Sequence, residues 1–203
     1  MKRILVSLIC VCLTFVAWAQ NDDFVQYQLD NGLTVYLWED HDQPDVQGWT
    51  VTRAGSIDEP ADATGLAHYL EHMLFKGTDR IGALDWAKEK PLYEQIIALY
   101  DTLALTTDDQ AREAVQLRIN EVSREAAQYA ATDEFSNLIQ GIGGEGLNAF
   151  TSYDVTCYMN SFPSYQMERW LTLYADRLTN PVFRSFQAEL ENVFEEYNMY
   201  LDD

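Results

Sequence analysis

Histidine occurs only three times in this 203-residue chain, at His41, His68 and His72, and cysteine only three times, at Cys10, Cys12 and Cys157. Basic residues are scarce too: 13 Lys and Arg stand against 33 Asp and Glu, for a formal net charge of −20. Such a chain offers no basic face, which argues against nucleic acid or an anionic lipid surface as a partner. Most of the acidic residues read as a solvated surface. Low-complexity tracts and internal repeats are absent. The hydrophobic share of 47% and the charged share of 23% are ordinary for a globular protein, and the length suffices for one domain with its own core.

Long apolar runs are missing except at the start. Lys2 and Arg3 precede the mostly apolar stretch Ile4–Trp18, which has the length of a signal-peptide core and is too short to cross a bilayer as a mature helix. Ala17-Trp18-Ala19 fits the small-x-small cleavage rule, so residues 1–19 are expected to be a leader cut after Ala19, with 20–203 as the mature segment. Polar Gln20–Asp23 follows at once, against a retained anchor, and Leu8-Ile9 before Cys10 lacks the small residues of a lipoprotein site. The expected product is exported, periplasmic or secreted, from a bacterium. It keeps Cys157 alone and so forms no internal disulfide. Cys157 lies in a strand-like run and reads as a small buried hydrophobe.

Residues 24–29, 33–38 and 47–54 read as strands, with Asn31-Gly32 as the turn between the first two. Thr64 is expected to cap a helix that runs to about Lys76 and stops at Gly77. Pro91 suits the first turn of a second helix, on which Tyr93, Ile96, Ile97, Tyr100 and Leu103 repeat at helical spacing. Asp108 or Asp109 opens a third, with Val115, Ile119, Val122, Ala126 and Tyr129 along one stripe. The pair reads as a helical hairpin, a surface elaboration packing on itself. A further helix is expected near 134–139, and strands near 147–152 and 155–162. Helix 165–178 carries Met167, Trp170, Leu171, Tyr174 and Leu178 on one side, and a last helix starts near Ser185. No stop signal precedes Asp203, so the polypeptide is expected to continue.

His68 and His72 lie four apart on one predicted helix, so both imidazoles project from one face, the reach needed to hold a single Zn²⁺ from consecutive turns. Glu71 stands beside them, placed to take a proton from water at an open coordination position. The order is H-x-x-E-H, the reverse of H-E-x-x-H. His41 has no such partner and reads as a loop residue. A catalytic zinc needs a third ligand, and the last helix offers Glu189, Glu191, Glu195 and Glu196. Glu189, Val193, Glu196 and Tyr200 share a stripe that borders an apolar face of Leu190, Val193, Phe194 and Tyr197. Glu196 lies nearer that face than Glu195, which makes it the better inward ligand, with Glu189 as a second carboxylate two turns earlier. Any one of these glutamates could instead be a solvated helix charge.

The stretch Gly65-Leu66-Ala67-His68-Tyr69-Leu70-Glu71-His72-Met73-Leu74-Phe75-Lys76-Gly77-Thr78 resembles the signature of the pitrilysin/insulinase family of metallopeptidases, which includes the mitochondrial processing peptidases. Three more stretches resemble the family in the right order: Asn31–Val35 its opening hairpin, Gly143–Tyr158 its glycine-to-strand block, and Glu189–Glu196 its E-x(6)-E helix. The resemblance implies that His68, His72 and Glu196 are zinc ligands, Glu71 the general base and Glu189 an auxiliary glutamate supporting the site. It implies that Asn148 and Ala149 hold the substrate backbone by β-strand addition. The implied fold is α+β: a mixed, largely antiparallel sheet with helices packed on one face, as in processing peptidases, paired with a second related domain around a peptide. That second domain would lie in the same chain or in another subunit.

Two departures from the family stand out. The separation from His72 to Glu196 exceeds the usual spacing, and the excess is assigned to a helical insertion at about 86–135. The chain also stops soon after Glu196, so the domain is expected to be incomplete at its C-terminus. The leading expectation is therefore the N-terminal part of the catalytic domain of a zinc endopeptidase cutting extended peptides. The alternative is a non-catalytic peptide-binding or assembly subunit, although such halves usually lack part of the metal motif. A purely structural zinc site is a third reading. It is weakened by a ligand set that leaves a position open to water.

Overall fold

The computed structural model describes residues 24–131 and 133–202. The expected leader, its cut after Ala19, Cys10 and Cys12 lie outside the described residues. The chain divides into two compact units between Pro44 and Asp45.

In the first unit β1 (Phe24–Gln28) and β2 (Thr34–Trp38) form an antiparallel hairpin with Tyr27 opposite Val35. Each strand is a residue shorter than expected, because Leu29 and Leu33 belong to the turn: the Leu29 N–H donates to the Leu33 carbonyl at 2.9 Å. Gly32 supplies the positive φ of +88° that this turn requires, and the Asn31 side chain accepts from Leu33 N–H. His41 is exposed in the loop after β2, with Nε2 3.3 Å from Glu39.

The second unit is built on a three-stranded antiparallel sheet. Its strands are β3 (Asp45–Thr52), β4 (Glu145–Thr151) and β5 (Thr156–Pro163), in the order β3-β5-β4. The β3–β5 ladder runs from Asp45 opposite Pro163 to Thr52 opposite Thr156, which moves β3 two residues N-terminal to its expected span. Alternation along β5 sends Tyr158, Asn160 and Phe162 to one face, where Val46 and Gly48 of β3 and Ala149 of β4 join them. Helices cover this face: α1 (Leu66–Met73), α4 (Glu134–Gly141) and α5 (Met167–Thr179). The core there consists of Ile81, Phe135, Ile139, Ile142, Tyr158, Phe162, Trp170 and Tyr174. Asn160 is the polar pin of this core, its Oδ1 accepting from Trp170 Nε1 at 2.9 Å and from Tyr174 OH at 2.7 Å. On the other face Trp49, Val51 and Phe150 are exposed, while Cys157 between them is buried. Among the described residues every strand pairing is antiparallel, so the class is α+β, and the mixed sheet expected from the sequence is here wholly antiparallel.

The helical region contains α2 (Trp86–Leu105) and α3 (Asp109–Ala126), which pack together around Ile119 and Val122, both fully buried. Pro91 lies inside α2, not in its first turn. Asp85 caps the helix earlier by accepting from Lys88 N–H, and only the bond to one early carbonyl is forgone at the proline. Asp108 caps α3 through Ala111 N–H at 2.8 Å. The hairpin does more than pack on itself. Glu89 and Tyr100 of α2 hold the last helix, α6 (Phe186–Asp202), and the segment before it: Glu89 accepts from Arg184 Nε at 2.5 Å, and Tyr100 OH donates to Gln187 at 3.0 Å.

Two apolar stripes differ from expectation. On α5 the inward series is Met167, Trp170, Tyr174 and then Arg177, which is fully buried, whereas Leu171 and Leu178 are exposed. On α6 the inward residues are Phe186, Glu189 and Val193, whereas Leu190, Phe194 and Tyr197 are exposed. In both helices a buried charge occupies a place that apolar periodicity assigns to a hydrophobe.

Candidate metal centre

Helix α1 carries the H-x-x-E-H residues, and both its ends are held by charged side chains. At the N-terminus Glu59 accepts from Gly65 N–H and Ala67 N–H, each at 2.8 Å. The cap is thus a carboxylate from the preceding loop, not Thr64, and its charge suits the positive end of the helix dipole. At the other end Arg177 Nε donates to the Leu74 carbonyl at 3.0 Å. Arg184 donates to the carbonyls of Lys76 at 3.0 Å, Thr78 at 2.6 Å and Ile81 at 3.2 Å. Two buried cations therefore satisfy the Leu74 carbonyl at the C-cap of α1 and the carbonyls of the turn that follows the helix. Gly77, at φ +89°, turns the chain so tightly that a Cβ would lie 2.2 Å from the Ile81 carbonyl oxygen.

Tyr69 and Met73 on the buried side of α1 pack against Val193, Phe183 and Phe186, which docks α6 beside the motif. This contact brings distant residues together. His68 Nε2 and His72 Nε2 lie 3.2 Å apart, and Glu196 Oε2 is 3.5 Å from each. Two imidazole nitrogens and one carboxylate oxygen are a donor set of the kind that can hold a zinc ion with one position left open. The spacing fits as well, since a tetrahedron with bonds of about 2.0 Å has edges of about 3.3 Å. Among the described residues this is the one cluster of its kind. Glu195 faces solvent.

Glu189 is 7% exposed, and both its oxygens are engaged. Oε1 lies 2.9 Å from His72 Nδ1, and Oε2 lies 2.5 Å from Lys76 Nζ and 3.3 Å from Asn192 Nδ2. Burial pushes its carboxyl pKa up, but the hydrogen bonds from Lys76 and His72 outweigh that and hold it below the usual range. A carboxylate on Nδ1 selects the imidazole tautomer whose Nε2 lone pair is free, and Nε2 is the atom that faces His68 and Glu196.

Glu71, also 7% exposed, points from α1 towards β4, where Thr151 Oγ1 donates to its Oε2 at 2.6 Å. Glu71, His68, His72, Glu196, Asn148 and Ala149 all line one open cleft of about 900 Å³. Strand β4 forms the wall of that cleft. It pairs with β5 on one side, and among the described residues its other edge has no partner. Asn148 is exposed on this strand, and Ala149 is half-buried.

The sequence assigns no role at the site to Lys76, Thr151, Arg177 or Arg184. Spacing could have flagged two of them. Lys76 follows His72 by one helical turn, and Thr151 follows Ala149 by one strand period. For the two arginines no local signal exists, because their partners are carbonyls about a hundred residues away.

The model of the family described as Insulinase (Peptidase family M16) matches residues 34–89 and 122–202, well over half of the chain. The chain belongs to peptidase family M16. Between the two matched segments, residues 90–121 span parts of α2 and α3 and the turn that joins them. This M16 chain is 23% identical over 196 residues to the probable zinc protease PqqL of Escherichia coli (strain K12), covering 94% of this chain and 16% of that protein. It is 26% identical over 183 residues to an uncharacterized zinc protease of Rickettsia felis, covering 90% of this chain and 31% of the other. It shares its fold with a protease from Helicobacter pylori of known crystal structure, with a TM-score of 0.57 at 20% identity over 85% of this chain and 30% of that one. The chain thus spans less than a third of the length of each of these relatives.

Proposed function

We propose that this chain carries the zinc centre of an exported endopeptidase that hydrolyses extended peptides. His68, His72 and Glu196 would hold the ion. The observation that carries the reading is the convergence of their three donor atoms at 3.2 and 3.5 Å beside a buried glutamate in an open cleft. A zinc ion bound there supplies a Lewis acid that polarises a carbonyl oxygen and makes water acidic near neutral pH.

The remaining work falls to side chains and backbone. Glu71 accepts a proton from the attacking water and passes it to the leaving amine. Thr151 occupies Oε2 of Glu71 and leaves Oε1 as the basic atom. Glu189 fixes the His72 tautomer. The free edge of β4 at Asn148 and Ala149 accepts the substrate as an added strand, which aligns a peptide of any sequence through its backbone. A second related domain, in the same chain or another subunit, would close the cleft. Export with loss of residues 1–19 completes the reading. In the described residues no helix is long and apolar enough to cross a membrane.

The test is Glu71→Gln in the full-length protein. The variant should bind zinc like the wild type and lose peptide cleavage. Turnover at the wild-type rate would sink the mechanism.

A further inference from the structure

The ion pair between Lys76 and Glu189 stands one step outside the proposed ligands, and three features separate it from an ordinary surface pair. First, it is shielded: the side chains are 27% and 10% exposed, so solvent screens it less than the exposed pairs that contribute little. Second, it is shared. The oxygen of Glu189 that Lys76 does not take is the one on His72 Nδ1. Third, the backbone of Lys76 is fixed. Its N–H donates to Met73, its carbonyl accepts from Arg184, and Gly77 turns the chain away directly afterwards.

A carboxylate on a glutamate stem can swing about its terminal torsions, and a swing would release Nδ1 of His72. Asn192 cannot prevent this alone, since its amide carries no charge and its contact is long at 3.3 Å. The ammonium can, because it brings a full opposite charge to the same oxygen at 2.5 Å, and an ion pair of that length is among the strongest of hydrogen bonds. We propose that Lys76 is a positioning residue for the metal centre: by clamping one oxygen of Glu189 it holds the other on His72 Nδ1, and so presents His72 Nε2 to the ion. This rests on the reading of His68, His72 and Glu196 as ligands.

The experiment compares full-length wild type, Lys76→Met and Lys76→Arg. Zn²⁺ affinity is read by chelator competition, the ligand field by the absorption spectrum of the Co²⁺-loaded site, and the fold by thermal unfolding without metal. Removing a partner of this kind weakens metal binding by about 10- to 100-fold, and one acting through Glu189 belongs at the lower end. Lys76→Met should therefore lose about tenfold in affinity and shift the Co²⁺ spectrum, and Lys76→Arg should restore both. In a Glu189→Gln background Lys76→Met should have little further effect, because the path is already cut. Should Lys76→Met fail to fold, Lys76→Gln carries the same comparison. Unchanged affinity in the neutral variant overturns the proposal. So does an affinity loss that Lys76→Arg does not repair, or one that persists in full in the Glu189→Gln background. A wild type that binds no zinc would instead remove the metal-centre reading itself, which is a separate result.

Discussion

Thr151 Oγ1 donates a 2.6 Å hydrogen bond to Oε2 of Glu71, joining the end of the cleft-wall strand to the proposed base. A base that must meet one water works only in the right orientation, and small misplacements of a reacting group cost up to about 100-fold. Thr151→Val keeps the shape and removes the donor. It should lower kcat by about 10- to 100-fold with little change in KM or zinc content, and Thr151→Ser should restore most of the loss. Steady-state kinetics with metal analysis on the full-length protein decides this. A fall in zinc content in step with kcat would place the effect at the metal instead.

Glu89 and Arg184 form a buried pair, with side chains 3% and 6% exposed. Removing one member of such a pair leaves the other uncompensated, at a cost of about 3–5 kcal/mol. The carbonyls of Lys76, Thr78 and Ile81 also engage Arg184, so Glu89→Ala should fall at the lower end, about 3 kcal/mol. Glu89→Gln keeps one acceptor and should cost less. Urea denaturation of both variants measures the difference. Equal midpoints for Glu89→Ala and wild type would show that the carbonyls alone suffice for Arg184.

These two contacts also show where the sequence was legible. The spacing of His68 and His72 foretold a shared helix face, because helical geometry is local. The four strands expected around the two hairpins lie within about two residues of their places, since Asn31-Gly32 and the glycines before β4 punctuate the chain. The helix caps were partly opaque: Asp108 sits next to the helix it caps, but Glu59 reaches in from a loop. Buried arginines were invisible. Arg177 lies on the core stripe of α5 among the rings of Phe75, Phe135, Tyr158 and Tyr174, at 4.2 to 5.4 Å from their centres. Only tertiary packing creates that environment, and apolar periodicity points to Leu178 in its place.

Gly48 on β3 lies under the Trp170 indole, and a Cβ there would be 2.4 Å from Trp170 Cζ2 and 2.9 Å from Phe162 Cε1. The indole cannot retreat. It is hydrogen-bonded to Asn160 and stacked between Phe162 and Tyr174 at 4.8 and 4.2 Å. Replacing a strand glycine by alanine gains about 0.5–1 kcal/mol of backbone entropy, whereas overpacking costs about 1–3 kcal/mol. Gly48→Ala should thus be destabilising on balance and alter the near-ultraviolet circular dichroism of Trp170. A more stable variant with an unchanged spectrum would show that the sheet can shift to admit a methyl group.

Alkaline pH separates two opposing groups within one core. Burial raises the phenol pKa values of Tyr158 and Tyr174, the latter to about 12. The unfolded chain therefore releases these protons first, near the ordinary phenol value of 10.0, and the stability that the phenols confer is lost as pH climbs from there through their folded values. Burial acts the other way on Arg177, pushing its pKa down to about 10. Above that pH the folded state sheds the guanidinium proton while the unfolded chain keeps it, so Arg177 gains stability in the same window. Each group changes stability by about 1.4 kcal/mol per pH unit at most. Two phenols against one guanidinium leave a net loss, and Tyr69 and Tyr100, also raised by burial, add to it. Stability measured by urea denaturation should fall steadily above pH of about 10, with phenolate absorbance rising together with unfolding. Arg177→Met removes the opposing group and should make the fall steeper. An unchanged slope in that variant would show that Arg177 keeps its proton in the folded core throughout the window.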